Sequence, residues 1–342
     1  MSPILITIID ATVKSAIIIL TLLTGFAYTT VLERRFIARL QSRIGPNRAG
    51  PWGLLQPVAD GIKLFFKEDV VPVNADKVIF TLAPALTAIP ALIVLAVVPI
   101  GEDITLFGYT TSLGLTDTNV GVLYILAVTS LAVYGVALAG WASGNKYSMM
   151  GGLRASAQMI SYELALALSI LAPVMMVGSL SVGDIIDAQR GRWFLFLQPV
   201  AAIIAYITLL AETNRAPFDL PEAEQELVAG YMTEYSGMKF AAFFMGEYIK
   251  MIAVSAIWAS LFLGGYRFLG LEYLLGGWMG PLILGGKIVA SLMFMVWIRA
   301  TFPRFRYDQL MQFGWKVLLP LSLLNLAVTA VLIVLDVIPV FS

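Results

Sequence analysis

The sequence contains neither cysteine nor histidine among its 342 residues. Iron–sulfur clusters need cysteine thiolates, haem is usually held by histidine, methionine or cysteine, and zinc sites are built from cysteine and histidine. We therefore expect no metal centre, no bound cofactor and no catalytic residue on this chain. Disulfide bonds are excluded as well. If the protein serves redox chemistry, the electrons come from a partner.

Charged residues are also scarce, at 13% of the chain, whereas soluble domains carry about 25%. Hydrophobic residues make up 59%, and the mean hydropathy is +0.86. This composition predicts an all-α, multi-pass integral membrane protein in which helix packs on helix. Because 22 Lys and Arg balance 22 Asp and Glu, net charge indicates no particular partner, and we expect lipid rather than nucleic acid around the chain.

Eight apolar stretches are each long enough to cross a bilayer core, which takes about 20 helical residues. We treat the whole chain, 1–342, as one polytopic membrane domain. The eight stretches are approximately 4–32, 78–100, 119–142, 155–178, 193–211, 238–266, 277–300 and 315–338. The first lacks a basic segment before it and is far longer than the apolar part of a signal peptide, about 7–15 residues, which predicts a retained span.

Lysine and arginine are distributed unevenly between the loops. Sixteen of the 22 lie in or beside the loops that follow spans 1, 3, 5 and 7, and three lie in the other loops. The positive-inside rule places the cation-rich loops in the cytoplasm, or on the equivalent negative side of the membrane. Loops 33–77 and 212–237 are then cytoplasmic, and both termini face the outer side.

Loop 33–77 is too long to be a simple connection. Apolar residues recur within it at helical spacing, with charged residues between them, which predicts an amphipathic helix in the membrane interface. The apolar positions are Leu54, Leu55, Val58, Ile62, Phe65 and Phe66. Lipid anchoring, docking of a soluble partner and contact with a long apolar ligand between this helix, span 1 and span 6 all remain open.

A second loop, 212–226, carries a dense set of carboxylates beside Arg215. These acids are Glu212, Asp219, Glu222, Glu224 and Glu226. Because charge is costly near a bilayer, such a set is typical of an ion or proton route. A solvated charge run is the alternative, although the prolines and apolar residues of this loop favour a rigid, half-apolar segment.

Two carboxylates lie inside predicted spans at similar depth. At 1.5 Å per residue, Glu163 is about 12 Å and Glu247 about 14 Å from the cytoplasmic end of its helix. With Glu212 they could form a line from the loop to the midplane of the membrane. Hydroxyl and amide groups that could bridge this line are Gln158, Tyr162, Tyr231 and Tyr235. The alternative for Glu247 is a purely structural ion pair with Lys250, three residues further on.

Five motifs, in this order, resemble one protein family. They are E-R-R at 33–35, Q-S-R-I-G-P-N-R-A-G-P-W-G-L-L-Q-P-V-A-D-G-I-K-L at 41–64, N-K-Y-S-M-M-G-G-L-R-A-S-A-Q-M-I-S-Y-E at 145–163, A-E-T-N-R-A-P-F-D-L-P-E-A-E-Q-E-L-V-A-G-Y-M-T-E-Y-S-G at 211–237 and R-A-T-F-P-R-F-R-Y-D-Q-L-M at 299–311. The family is the quinone-site membrane subunit (the H subunit) of proton-pumping NADH:quinone oxidoreductase, respiratory complex I. The likeness extends from about residue 28 to residue 320.

The resemblance implies that the chain anchors a peripheral redox arm and lets quinone enter from lipid between span 1, span 6 and the interfacial helix. Ubiquinone or another quinone is the implied substrate. It is reduced in partner subunits, which hold the iron–sulfur clusters and FMN. The charged lining of the family's quinone passage corresponds here to Glu33, Arg34, Arg35, Asp60, Lys63, Arg215, Arg299 and Arg304.

The resemblance also implies an acidic connection from this passage to antiporter-like pump subunits. Its residues correspond here to Glu163, Glu212, Asp219, Glu222, Glu224, Glu226, Glu234 and Glu247. The implied partners are the quinone-reducing and iron–sulfur subunits of the peripheral arm and the adjacent small and antiporter-like membrane subunits. The implied location is the bacterial inner membrane, with the mitochondrial inner membrane as the alternative.

Three other functions remain open from the residues alone. The membrane subunit of an energy-converting hydrogenase shares this architecture but needs no quinone. A stand-alone proton-coupled transporter could use Glu163 and Glu247, although the chain lacks the internal repeat that many transporters show. A purely structural anchor for soluble subunits would leave the acids within the spans without a role.

Overall fold

The computed structural model describes residues 3–106, 109–220, 228–268, 277–337 and 341, and these form an all-α protein with one short β-hairpin. Ile104–Leu106 (β1) pairs antiparallel with Tyr109–Thr111 (β2). The helices are, in chain order, Pro3–Leu40 (α1), Gln56–Phe65 (α2), Lys77–Ile93 (α3), Gly121–Ala142 (α4), Lys146–Val177 (α5), Val182–Ala188 (α6), Phe194–Leu197 (α7), Pro199–Glu212 (α8), Gly237–Phe262 (α9), Gly280–Thr301 (α10), Tyr307–Phe313 (α11) and Leu319–Val334 (α12).

Seven helical runs in the described residues are long and apolar enough to cross a membrane. Six of them contain α1, α3, α4, α5, α9 and α10. The seventh, Tyr307–Val334, continues from α11 to α12 through a π-helical turn at Gly314–Leu318. The multi-pass, all-α membrane architecture expected from the composition is confirmed.

The apolar stretch 193–211, expected to form one span, contains two helices in the structure. It contains the one-turn α7 and the 14-residue α8, with Gln198 between them. Pro199 removes a backbone donor at the start of α8, and Gln198 has non-helical backbone angles. The Gln198 side chain donates to Thr329 Oγ1 of α12 at 3.0 Å, so the break is tied to a neighbouring helix. At 1.5 Å per residue α8 is only about 21 Å long.

Polar residues define the ends of the long helices near the carboxylates. The side chain of Asp76 accepts hydrogen bonds from Val78 N and Ile79 N, which caps the start of α3. Asn145 caps α5 in the same way through Tyr147 N. Gly178, in the left-handed conformation at φ 72°, ends α5. These caps set where the two helices begin and thus which residues face the interior.

Helix α9 lies at the centre of the molecule, packed against α1, α3, α8 and α10. Its central turns are buried on all sides, because large and small side chains fill the space between these helices. By contrast, most of α1 is exposed on the outside of the bundle, and its C-terminal part reaches α9. Buried charged residues on α9 are therefore surrounded by protein.

Helix α2 begins within loop 33–77, where the apolar spacing predicts an amphipathic helix. None of its residues is fully buried, and Val58, Ile62 and Phe65 are exposed. It packs through its other face against α1 and α9. An apolar face left open on a short helix fits an interfacial position, which stays a prediction.

Candidate functional site

Glu33, in the C-terminal part of α1, is a meeting point of several elements and is only 3% exposed. Its Oε2 accepts a hydrogen bond from Tyr248 Oη at 2.8 Å, and its Oε1 accepts one from Arg215 Nη1 at 3.4 Å. Arg299 of α10 forms an ion pair with the same Oε1. Residues from α1, α9, α10 and the turn after α8 thus converge on one buried carboxylate.

Arg215, in the turn after α8, connects the two predicted sets of residues. Its Nη1 is 3.4 Å from Glu33 Oε1, and its Nη2 is 3.6 Å from Glu247 Oε2. Its guanidinium carbon lies 4.2 Å from the ring centroid of Tyr248, a cation–π contact. A residue of the predicted quinone passage and a residue of the predicted proton pathway therefore share one cation.

Gln158 of α5 fixes the turn that carries Arg215. It is fully buried, and its Nε2 donates to Ala211 O at 2.9 Å and to Phe218 O at 2.8 Å. The two carbonyls lie on either side of Arg215 in the chain. Because a buried carbonyl without a donor is costly, Gln158 holds both ends of the turn in place.

Glu212, the last residue of α8, pairs with Lys250 of α9. Lys250 Nζ lies 2.6 Å from Glu212 Oε1, and both side chains are buried. The alternative interpretation of the sequence pairs Lys250 with Glu247 on the same helix, whereas its ion-pair partner in the structure is Glu212. The structure pairs Lys250 across to another helix, because α8 packs against α9 at this level.

Glu163 of α5 lies near this pair and contacts α4. It accepts a hydrogen bond from Ser130 Oγ. Helix α5 also packs against α8, which ends with Glu212. Three helices, α5, α8 and α9, thereby bring Glu163, Glu212 and Lys250 into one electrostatic group.

Glu247 is buried on α9 and is contacted by the turn that precedes this helix, which contains Gly230 and Tyr231. Tyr231 Oη donates to its Oε1 at 3.2 Å. The backbone of this turn lies directly on α5, because a Cβ atom on Gly151 would be 2.7 Å from Gly230 Cα. Only glycine permits so close an approach at this position. Tyr231 is one of the predicted bridging groups, and in the structure its hydroxyl contacts Glu247.

Asp219 joins the other end of the turn after α8 to the chain beyond α10. It is buried, and its Oδ2 accepts a hydrogen bond from Arg304 Nη2 at 2.8 Å. Arg304 is about one-third exposed. The same turn thus carries a cation, Arg215, directed to the interior, and an anion, Asp219, paired with a predicted passage residue.

Glu234 lies on the turn before α9 and contacts the start of α5. Asn145, the cap of α5, donates from Nδ2 to Glu234 Oε1 at 2.6 Å. The neighbouring Tyr235 is buried and stacks on Phe80 with ring centroids 4.0 Å apart. Burial raises the pKa of the Tyr235 phenol above its ordinary value, so this hydroxyl stays protonated at physiological pH.

The remaining predicted passage residues lie at the more open end of the site. Arg34 Nη1 is 2.8 Å from Asp60 Oδ2, and this pair joins α1 to α2. Arg35 is half-buried and Lys63 is exposed, and neither forms an ion pair with a described residue. Three predicted proton-pathway residues lie outside the described residues, namely Glu222, Glu224 and Glu226.

Two hydroxyl groups of the site have no signal in the sequence. Tyr248 donates to Glu33 and stacks under Arg215, and Ser130 donates to Glu163. Both are hydroxyl residues in apolar helices, where the sequence alone does not distinguish a functional hydroxyl from an ordinary one. Within the described ranges, no group of three or more Asp, Glu, His or Cys side chains is arranged to hold a metal ion.

Comparison with known proteins identifies the family. The profile of the NADH dehydrogenase family matches residues 13–330. An H subunit of NADH-quinone oxidoreductase from Geobacter metallireducens is 50% identical over 336 residues, which is 98% of this chain and 100% of that protein. The H subunits from Protochlamydia amoebophila (53% identity, 90% of this chain and 92% of that protein) and Thermomicrobium roseum (52%, 91% and 93%) are similar. The chain therefore belongs to the H-subunit family of NADH-quinone oxidoreductase, as a membrane component of complex I.

Proposed function

We propose that this subunit forms the entry passage for quinone and couples quinone reduction to proton translocation through its buried carboxylates. The observation that carries the proposal is the position of Arg215, within 3.4 Å of Glu33 and 3.6 Å of Glu247. Charges interact strongly where water is excluded. A change of charge beside Glu33 therefore acts on Glu247 through one shared cation.

The passage end of the site suits a molecule with an apolar tail and a polar head. The proposed passage lies between α1, α2 and α9, which pack on one another, and the exposed apolar side chains of α2 suit an entrance from lipid. Charged groups stand at its inner end, where Glu33 meets Arg299 and Arg215. A largely apolar cleft with a few convergent polar groups is the usual form of such a binding site.

The carboxylate end suits proton transfer because its charges are buried and shared. Moving one charge through 100 mV takes about 2.3 kcal/mol. A change of two units in the pKa of a carboxyl group corresponds to about 2.7 kcal/mol. Withdrawal of Arg215 from Glu247 would leave that buried carboxylate, hydrogen-bonded to Tyr231, without its nearest countercharge, which favours approach of another cation or uptake of a proton in the network.

The proposal extends to the partners and the orientation of the chain. Electrons come from FMN and iron–sulfur clusters in partner subunits, and this chain holds no redox centre. Loops 33–77 and 212–237 face the cytoplasm of a bacterial inner membrane and receive the peripheral arm, both termini face the outer side, and α8 completes eight crossings. Small and antiporter-like membrane subunits continue the proton pathway. The mitochondrial inner membrane is the alternative location.

Conservative neutralisation of the carboxylates tests the proposal. Glu212→Gln and Glu247→Gln, in the assembled complex in proteoliposomes, should lower either the rate of NADH:quinone reduction or the number of protons moved per electron. Asp308→Asn removes a carboxylate that is exposed and outside the network, and should change neither quantity. Wild-type rates and wild-type proton yields in both glutamine variants would refute the proposal.

A further inference from the structure

Lys250 is a buried cation to which the proposed proton pathway assigns no role. It lies in the middle of α9 and is 8% exposed. Among the described residues, its ammonium group has one hydrogen-bond acceptor, Glu212 Oε1 at 2.6 Å. An ammonium group has three N–H donors, and a buried donor without an acceptor is unfavourable. The environment of Lys250 therefore favours a second acceptor within its reach.

Glu247 is such an acceptor. It lies three residues before Lys250 on α9, and residues at this spacing are neighbours on one helix face. Glu247 Oε2 is buried and accepts no hydrogen bond in the described residues. The cation nearest to it, Arg215 Nη2, is 3.6 Å away and belongs to a side chain that Glu33 shares. Lys250 thus neutralises Glu212 and neighbours Glu247, whose own cation, Arg215, is shared with Glu33.

A small cavity lies beside Lys250. It has a volume of about 10 Å³, close to the lower limit for one water molecule, and is lined by Pro90, Thr129, Lys250 and Ala253 among others. Its lining is almost entirely apolar. Glu212 does not line this cavity. Packing around the Lys250 side chain is therefore incomplete on this side.

We propose that Lys250 is a mobile counter-cation of the proton pathway, bound to Glu212 while that carboxylate is ionised and drawn to Glu247 when Glu212 is protonated. The inference rests on the proposed function. As Arg215 moves toward Glu33, Glu247 loses its cation and Lys250 replaces it. Glu212, buried and now without its cation, takes up one proton. When Arg215 returns to Glu247, Lys250 returns to Glu212, which releases one proton.

The opposite interpretation is that Lys250 and Glu212 form a permanent pair that only stabilises the packing of α8 on α9. The two interpretations differ in what happens to the carboxyl groups during turnover. A permanent pair keeps Glu212 ionised whether quinone is oxidised or reduced. A mobile cation gives a redox-linked change in the protonation of Glu212, which infrared difference spectroscopy of the assembled complex detects as a carboxyl band that is absent in Glu212→Gln.

Lys250→Met is the first test. It should abolish that redox-linked Glu212 band and lower the protons moved per electron several-fold, while the KM for quinone stays unchanged. Lys14→Met is the matched control, because Lys14 also forms a 2.6 Å ion pair within a span, with Asp10, but lies outside the network. A wild-type Glu212 band and a wild-type proton yield in Lys250→Met would overturn the inference.

A second pair of variants decides the matter even where Lys250→Met does not assemble. In Glu212→Gln, the ammonium has Glu247 as its remaining carboxylate partner, so Glu247 should stay ionised. In Glu212→Gln/Lys250→Met, which carries no unpaired charge at this position, the Glu247 carboxyl band should become redox-linked. Identical Glu247 bands in the two variants would overturn the inference. If Glu212→Gln and Glu247→Gln both pump normally, the proposed function fails instead.

Discussion

At the scale of single residues, the site is made of buried charges that share their partners. Glu33 is paired with Arg215 and Arg299, and Arg215 is paired with both Glu33 and Glu247. An isolated buried ion costs several kcal/mol, so each of these side chains depends on its neighbours for its charge state. Because these side chains share partners, a change of charge on one of them changes the charge balance of all of them, whereas separate ion pairs would act independently.

Arg215→Met should show this dependence. The change removes one of two cations from Glu33 and the nearest cation from Glu247, and breaking a buried ion pair on one side costs about 3–5 kcal/mol. We expect a lower melting temperature of the purified complex and little quinone reduction. Arg34→Met is the control, because it breaks a partly exposed pair with Asp60, worth about 0–1 kcal/mol. Equal melting temperatures for Arg215→Met and Arg34→Met would contradict the interpretation.

The sequence could identify these charged residues but could not pair them. Each stands out because ionisable side chains are rare in an apolar chain. Helical spacing places Lys250 beside Glu247, yet its hydrogen bond goes to Glu212, since that contact depends on how α8 packs against α9. Tyr248 gives no such signal, because a tyrosine in an apolar helix is ordinary. The side-chain roles assigned by resemblance remain predictions.

At the scale of elements, the turn after α8 is the part of the site that must be held most firmly. It presents Arg215 to the interior and Asp219 to Arg304. Gln158 of α5 ties the residues on both sides of Arg215, through the carbonyls of Ala211 and Phe218. A helix thus supplies the rigidity that a turn lacks, and the position of the shared cation follows from it.

Gln158→Ala tests the positioning role of this contact. Loss of the amide removes a donor from Phe218 O and from Ala211 O, which keeps a contact with Asn214 N at 3.3 Å, at a cost of about 1–3 kcal/mol. We expect a lower melting temperature together with a higher KM for quinone or a lower proton yield. Gln189→Ala is a matched control, since Gln189 is equally buried and also donates to backbone carbonyls, at Ile185 and Ser260, but far from the site.

The control variant, Gln189→Ala, should lose a similar amount of stability and keep the wild-type KM for quinone and the wild-type proton yield. If both variants changed the KM and the proton yield equally, the effect of Gln158→Ala would be one of stability alone. Such a result would remove the positioning role of Gln158. The shared cation at Arg215 would not be affected by it.

At the scale of the whole molecule, composition and apolar run length predict the architecture well. An all-α bundle with long apolar helices follows from the scarcity of charge and from runs of about 20 apolar residues. The stretch 193–211 behaves differently, because its break depends on Gln198 and on the contact of that side chain with Thr329 of α12. Such a contact between distant parts of the chain leaves no periodic pattern in the sequence.

The orientation of the whole molecule can be tested cleanly because the chain has no cysteine. The uneven distribution of cations places Arg190 on the outer side and Arg306 in the cytoplasm, and both side chains are exposed. In right-side-out vesicles, a membrane-impermeant maleimide should label Arg190→Cys at once and Arg306→Cys only after permeabilisation and removal of peripheral subunits. Because the eight-span topology puts an odd number of crossings between the two positions, labelling of both from the same side would exclude that topology.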